Sequence, residues 1–265
     1  MGDAIAPSDS WSSGRSYESY VGGWSRLVAR RFVPWLGVRG GRWLDVGCGT
    51  GALTETLLAV AEPAEVVGID PSAPFLEYAS HHVAGPVSFR AGDARALPAE
   101  DAPFDVVVSG LVLNFVPDRR AALAEMCRVT RPGGTVGAYV WDYPGEMQLL
   151  NHFWDAAVIV DPAARPLHEG VRFDFCRPEP LRALFTATGL RDVDVIPIEV
   201  PVSFTSFADY WSPFLQGTGP APAYTVSLGE DARATLRDTI RARLPTDPDG
   251  SIHLAARAWG IRGTA

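Results

Sequence analysis

The residues from Leu44 to Gly51, Leu44-Asp-Val-Gly-Cys-Gly-Thr-Gly51, carry the most specific chemical signal in this chain. Their glycines let a backbone bend sharply and approach a ligand with no Cβ in the way. A helix beginning just behind them presents unpaired N–H groups to whatever lies over the turn. Gly47, Gly49 and Ala52 also satisfy the dinucleotide fingerprint GxGxxG/A, with Asp70 about 20 residues on to hold a ribose. Asp45 argues against that reading. A dinucleotide sets two phosphates against this turn, where a carboxylate would repel them, whereas a cationic nucleoside would be attracted.

The other reactive side chains narrow the chemistry further. The sequence contains no lysine, which excludes Schiff-base catalysis. Cys48, Cys127 and Cys176 form no CxxC pair, so neither a disulfide framework nor a zinc knuckle is expected, and a reducing cytoplasm suits them. The five histidines never stand at metal-ligand spacing with a carboxylate, and no metal is expected. The net charge of −8 works against binding a phosphate backbone. Arg119–Arg120 and the arginines from Arg233 to Arg243 are the nearest thing to a basic face, and the latter alternate with acids as on a solvated helix.

These residues need a frame. Residues 1–16 read as disordered, and from Tyr17 to Leu36 the spacing of Tyr20, Trp24, Leu27, Val28 and Phe32 predicts an amphipathic helix. Between Trp43 and Val140 short Val-rich strands alternate with helices, and further strands follow at Val193–Val200 and Ile252–Ile261. The pattern predicts an α/β, doubly wound, mostly parallel seven-stranded sheet. Residues 142–178 break the alternation with an aromatic-rich helical cap. The expected organisation is therefore a single domain over 17–265, with its core in 41–141 and 179–265 and a cap insertion at about 142–178. No run reaches the roughly 18 apolar residues of a membrane span, and the first twenty residues lack a signal-peptide pattern.

With these segments in hand, residues 41–141 resemble the class I S-adenosylmethionine-dependent methyltransferases, particularly the small-molecule group similar to ubiquinone and menaquinone biosynthesis enzymes. Leu44–Gly51 looks like the family's first motif and Val66-Val-Gly-Ile-Asp70 like its second strand. Ala91-Gly-Asp-Ala94 looks like the third motif, the stretch from Phe104 to Asp118 like the fourth, and Arg128-Val-Thr-Arg-Pro-Gly-Gly134 like the turn before the fifth strand. The resemblance implies a Rossmann-like fold and S-adenosylmethionine as cofactor. Gly47, Gly49 and Gly51 would line its methionine part, with Asp45 near the ammonium. Asp70, followed by Pro71, would hold both ribose hydroxyls. Asp93 and the Ala94 N–H would meet the adenine, and Ser109, Gly110 and Leu111 would floor the methyl donor.

The acceptor is expected to be a small apolar or aromatic molecule, methylated on O, N or C, held by Tyr20, Trp24, Asn114, Tyr143 and Trp154. His152 and His168, both in the cap, are the candidate bases. A nucleic-acid substrate is disfavoured because Ser109-Gly-Leu-Val stands where Asn/Asp-Pro-Pro-aromatic would follow the fourth strand. The expected setting is cytoplasmic, with no membrane span and with a homodimer allowed.

Overall fold

The computed structural model describes residues 23–98, 103–217 and 219–265. Tyr20 and the stretch expected to be disordered, 1–16, lie outside them. The described residues divide into two compact units: 23–141 with 175–198 and 258–265, and 142–174 with 199–257. We refer to them as the sheet unit and the helical unit.

In the sheet unit, α1 (Gly23–Leu36) precedes β1 (Arg42–Val46), α2 (Ala52–Val60), β2 (Glu65–Asp70), α3 (Ala73–His82) and β3 (Val87–Ala91). Then come β4 (Phe104–Gly110), α4 (Arg119–Val129) and β5 (Thr130–Trp141). The chain returns later through α7 (Pro178–Ala187), and then come β6 (Arg191–Phe204) and β7 (Ile252–Thr264), whose residues 199–204 and 252–257 count with the helical unit. The seven strands lie in the order β3-β2-β1-β4-β5-β7-β6. Pairs β1–β2, β1–β4, β2–β3 and β4–β5 are parallel, and β5–β7 is antiparallel. The expected doubly wound, mostly parallel sheet is what forms.

Central strands read as continuous apolar runs because helices cover both faces. Trp43, Phe104, Val106, Val107 and Val108 have no exposed surface. The chain runs outward from β1 through β2 to β3, then crosses back to β4 on the other side of β1. That reversal leaves a crevice at the carboxyl ends of β1 and β4, where ligands bind in open α/β sheets. The expected turn at Arg131-Pro-Gly-Gly134 proves to be a bulge within β5, because Thr130 already pairs with Phe104 before the register jumps to Val106–Thr135. Gly133, at φ 76°, supplies the bend.

The helical unit contains α5 (Gln148–Val160), α6 (Glu169–Arg172), α8 (Phe207–Trp211), α9 (Pro220–Ser227) and α10 (Glu230–Arg243). It is larger than the insertion expected at 142–178, because residues 199–257 pack with 142–174. Leu236 and Ile240, one helical turn apart on α10, are fully buried as that helix packs on α5. Phe153 stacks on Phe214 at 4.5 Å and meets Trp154 edge-on at 5.1 Å. Tyr210 donates its hydroxyl proton to the Leu149 carbonyl at 2.9 Å, and complete burial pushes that phenol well above its usual range. Arg257 closes the unit by pairing with the buried Asp142 carboxylate at 2.6 Å. Among the described residues, no helix is long and apolar enough to cross a membrane.

Candidate functional site

Strand β1 ends at Val46, and the next five residues turn the chain into α2 while staying tied to β2. The Gly47 and Cys48 N–H groups both donate to the Ile69 carbonyl, at 2.7 and 3.0 Å. The Gly49 N–H donates to the Asp70 carboxylate at 3.0 Å. Gly47, Gly49 and Gly51 all have positive φ (74°, 53° and 90°), the region that favours glycine.

The three glycines are not equivalent. A Cβ at Gly47 would lie 2.5 Å from the Val112 side chain, and one at Gly51 would lie 2.7 Å from Val83. Protein packing alone therefore excludes side chains at both. At Gly49 the nearest atom to such a Cβ is the Phe75 ring at 3.9 Å, so this face of the loop is open. It is where a ligand can approach the backbone.

Two carboxylates dominate the electrostatics. Asp45 is completely buried, and its Oδ2 accepts a hydrogen bond from the Thr54 hydroxyl at 2.7 Å. Burial, and then the Asp70 charge, push its carboxyl up to about 7. Its Oδ1 has no hydrogen-bond partner. Asp70 is also buried, and its Oδ1 accepts from the Ser72 N–H at 2.8 Å while its other oxygen holds Gly49. Burial raises its carboxyl above the ordinary range against the lowering effect of those two N–H groups. The Cys48 thiol is held protonated by burial and by the same two acids. The negative charge of the two acids works against a pyrophosphate here and suits a cationic nucleoside lacking phosphate.

The remaining expected cofactor residues are placed as follows. Pro71 is exposed beside Asp70. Asp93 and Ala94 follow β3, but the Asp93 carboxylate is clamped by Arg95, which donates from its backbone at 2.8 Å and from Nη2 at 2.6 Å. Those hydrogen bonds pull the Asp93 carboxyl down to about 2, so an adenine amino group would have to share this carboxylate with Arg95 or displace it. Ser109 bonds through its hydroxyl to the Val46 carbonyl at 2.8 Å, locking the tip of β4 to that of β1. Gly110 leaves room for the Tyr139 hydroxyl, which would be 2.6 Å from any Cβ there. Leu111 is left-handed, at φ 62°, a conformation costing a non-glycine residue about 1–2 kcal/mol. Such strain concentrates where structure serves a site.

The expected acceptor residues fall in both units. In the sheet unit Trp24 is half-buried at the start of α1, and Asn114 is buried in the loop after β4. In the helical unit Tyr143 packs 5.0 Å from Phe173, and Trp154 is fully buried with its indole N–H donating to Glu169 at 2.8 Å. His168 caps α6: its Nδ1 accepts from the Gly170 N–H at 2.9 Å while Nε2 lies 3.8 Å from Asp155. To act as a base through Nδ1, His168 would have to release Gly170. His152 is half-buried, and burial lowers its pKa as it does that of His168.

Two contributors carried no recognisable signal. Thr54, on the first turn of α2, holds Asp45. Arg119, read above as part of a basic pair, turns onto the Leu113 and Asn114 carbonyls at 3.1 and 3.2 Å and stacks over Phe175 at 4.7 Å.

Comparison with known proteins agrees with this geometry. The profile of a methyltransferase-domain family matches residues 44–137, the stretch that carries the glycine loop, Asp70, Asp93 and the tip of β4. Residues 44–137 thus carry the likeness to a methyltransferase domain. The demethylmenaquinone methyltransferase of Staphylococcus aureus is 45% identical over 115 residues, which are 42% of this chain and 48% of that protein. The chain thus spans about half the length of the curated relatives it matches. Among solved structures, the YcgJ protein of Bacillus subtilis aligns with a TM-score of 0.57 at 21% identity, covering 89% of this chain and 97% of that one. Phosphoethanolamine N-methyltransferase 2 of Haemonchus contortus, solved with S-adenosyl-L-methionine, aligns with a TM-score of 0.58 at 17% identity, covering 95% of this chain and 56% of that one. At these identities the structural likeness establishes the fold.

Proposed function

We propose that this chain is an enzyme that transfers the methyl group of S-adenosylmethionine to a small aromatic acceptor, a reading supported by its likeness to a demethylmenaquinone methyltransferase. The observation that carries the reading is the pair of buried carboxylates, Asp45 and Asp70, beside the open face of Gly49 at the β1–β4 crevice. When bound, the cofactor supplies a methyl group already activated on a positive sulfur. The residues of the chain do the holding. Asp70 retains free lone pairs for the ribose hydroxyls, and Gly49 admits close approach. Asp45, completely buried, acts through its charge. Ser109, Gly110 and Leu111 form the floor beside the methyl donor. Trp24 and Asn114 are the proposed acceptor contacts in the sheet unit. Alignment of two reactants of this kind supplies roughly 7–11 kcal/mol of barrier lowering, so a dedicated base is needed only where the acceptor must lose a proton. A cytoplasmic setting fits cysteines that form no disulfide among the described residues.

The direct test is calorimetric titration with S-adenosylhomocysteine and with NAD, followed by methyl-transfer assays across a panel of hydroxylated aromatic acceptors. Binding of the thioether with indifference to NAD supports the reading. Uptake of NAD with indifference to the thioether refutes it.

Asp45 adds a pH signature. With its carboxyl near 7 in the free protein, much of it carries a proton at neutral pH. A cationic ligand favours the ionised form and expels that proton, so affinity rises with pH until Asp45 is fully ionised. S-adenosylmethionine is expected to bind about tenfold more tightly at about pH 8 than at about pH 6. Asp45→Asn should flatten the dependence. A wild-type profile as flat as that of the variant would remove Asp45 from the cofactor's electrostatics.

A further inference from the structure

Asn114 is 3% exposed, and both its Nδ2 and its Oδ1 lack a hydrogen-bond partner. Buried amides are nearly always satisfied, and each exception calls for an explanation. The backbone beneath Asn114 is not loose. The loop after β4 starts at the left-handed Leu111, whose N–H is tied to the Tyr139 carbonyl at 2.7 Å. Phe115 N–H closes a turn on the Val112 carbonyl at 2.8 Å. Arg119 holds the carbonyls of Leu113 and Asn114 itself and is steadied by the Phe175 ring. The peptide carbonyl is thus satisfied and fixed in place while the carboxamide on the same residue is left with a donor and an acceptor open.

Position gives the carboxamide its meaning. Four residues separate it from Gly110, in the loop leaving the β4 side of the crevice, whereas Asp45, Asp70 and the glycines belong to the β1 and β2 side. Asn114 therefore stands on the half of the site that the carboxylates do not serve.

We propose that Asn114 grips the methyl acceptor, and that this acceptor carries a hydrogen-bond donor and an acceptor atom side by side on a planar ring. A carboxamide offers Oδ1 as acceptor and the Nδ2 hydrogens as donors in one plane. The complementary group is a ring lactam, or a ring with adjacent hydroxyl and carbonyl oxygens, which closes a two-bond cycle with it. A ring with an isolated oxygen satisfies only half of the amide. Leaving a buried polar group unpaired is what allows a hydrogen-bonding site to reject near-isosteres by large factors. This proposal names the acceptor class for the site proposed above and rests on that reading.

The test uses the full-length chain saturated with S-adenosylhomocysteine and two probes, 2-quinolinone and N-methyl-2-quinolinone. The second keeps the ring and the carbonyl but lacks the donor. The wild type is expected to bind 2-quinolinone at least about tenfold more tightly, and Asn114→Leu to lose that preference while its affinity for S-adenosylhomocysteine stays within about twofold. The variant should melt at or above the wild-type temperature, because it deletes polar atoms that have no protein partner. Asn114→Ala provides the same comparison should leucine be too bulky. Equal binding of the two probes, no binding of either, or a preference that survives in the variants overturns the proposal. A variant that melts well below wild type assigns Asn114 to structure, and one that loses S-adenosylhomocysteine assigns it to the cofactor; either result also overturns the proposal. Failure of the wild type to bind S-adenosylhomocysteine would instead refute the methyl-transfer reading itself.

Discussion

Gly49→Ala is expected to fold and yet to bind S-adenosylhomocysteine more than a hundredfold more weakly than wild type, a loss of about 3 kcal/mol. The two halves of that statement rest on different observations. Folding should survive because a Cβ at this position meets nothing closer than the Phe75 ring at 3.9 Å. The remaining penalty is conformational: φ is 53°, and an alanine there costs about 1–2 kcal/mol. Binding should fail because the added methyl group occupies the open face of the loop where the ligand backs onto the main chain. Gly47→Ala is the informative contrast, since its Cβ would press on Val112 and should damage folding directly. Calorimetry and thermal melting on both variants separate the cases. A Gly49→Ala protein with near-normal affinity would show that the ligand does not approach this loop.

The β1–loop–α2 segment was the most legible part of the chain because local physics dictates it. A short apolar strand followed by glycines at 47, 49 and 51 permits few backbone paths, and the sharp bend expected there is made with positive φ at all three. The helical unit was harder to foresee. Local periodicity identified α10 as a helix with a charged face, but burying Leu236 and Ile240 against α5 requires pairing segments some eighty residues apart. Nothing within α10 itself announces that partner, and so residues 199–257 were expected in the core.

Individual side chains show the same limit. Asp93 stands where the family resemblance puts an adenine contact, but Arg95 two residues on folds back onto it, an Asx-type turn that competes for the carboxylate. The two arginines at 119 and 120 look alike as charges, yet Arg119 is turned onto two loop carbonyls. Sequence records the charge and not the direction in which the side chain points. The orphaned carboxamide of Asn114 is the extreme case: a missing partner has no sequence signature.

Asp70→Ala should be as damaging to binding as Gly49→Ala, and for a reason that makes the asparagine variant nearly as severe. Each carboxylate oxygen of Asp70 already accepts a backbone N–H, Oδ2 from Gly49 at 3.0 Å and Oδ1 from Ser72 at 2.8 Å. The side chain thus pins the glycine loop and the start of α3 to the tip of β2 before any ribose arrives. An asparagine can accept at only one of those positions, and its NH₂ group then faces an N–H donor at the other. Hydrogen bonds to a charged group are worth about 1.5–3 kcal/mol each, so losing the clamp together with the ribose contacts should weaken S-adenosylhomocysteine by at least about a hundredfold in both variants. Both should also melt below wild type, since buried N–H groups are left unpaired. Affinity within about twofold together with an unchanged melting temperature in Asp70→Asn would mean that the carboxylate serves neither the loop nor the ribose. A large fall in melting temperature with unchanged affinity would confine Asp70 to holding the loop, and the negative charge that favours a cationic nucleoside would then have to come from Asp45 alone.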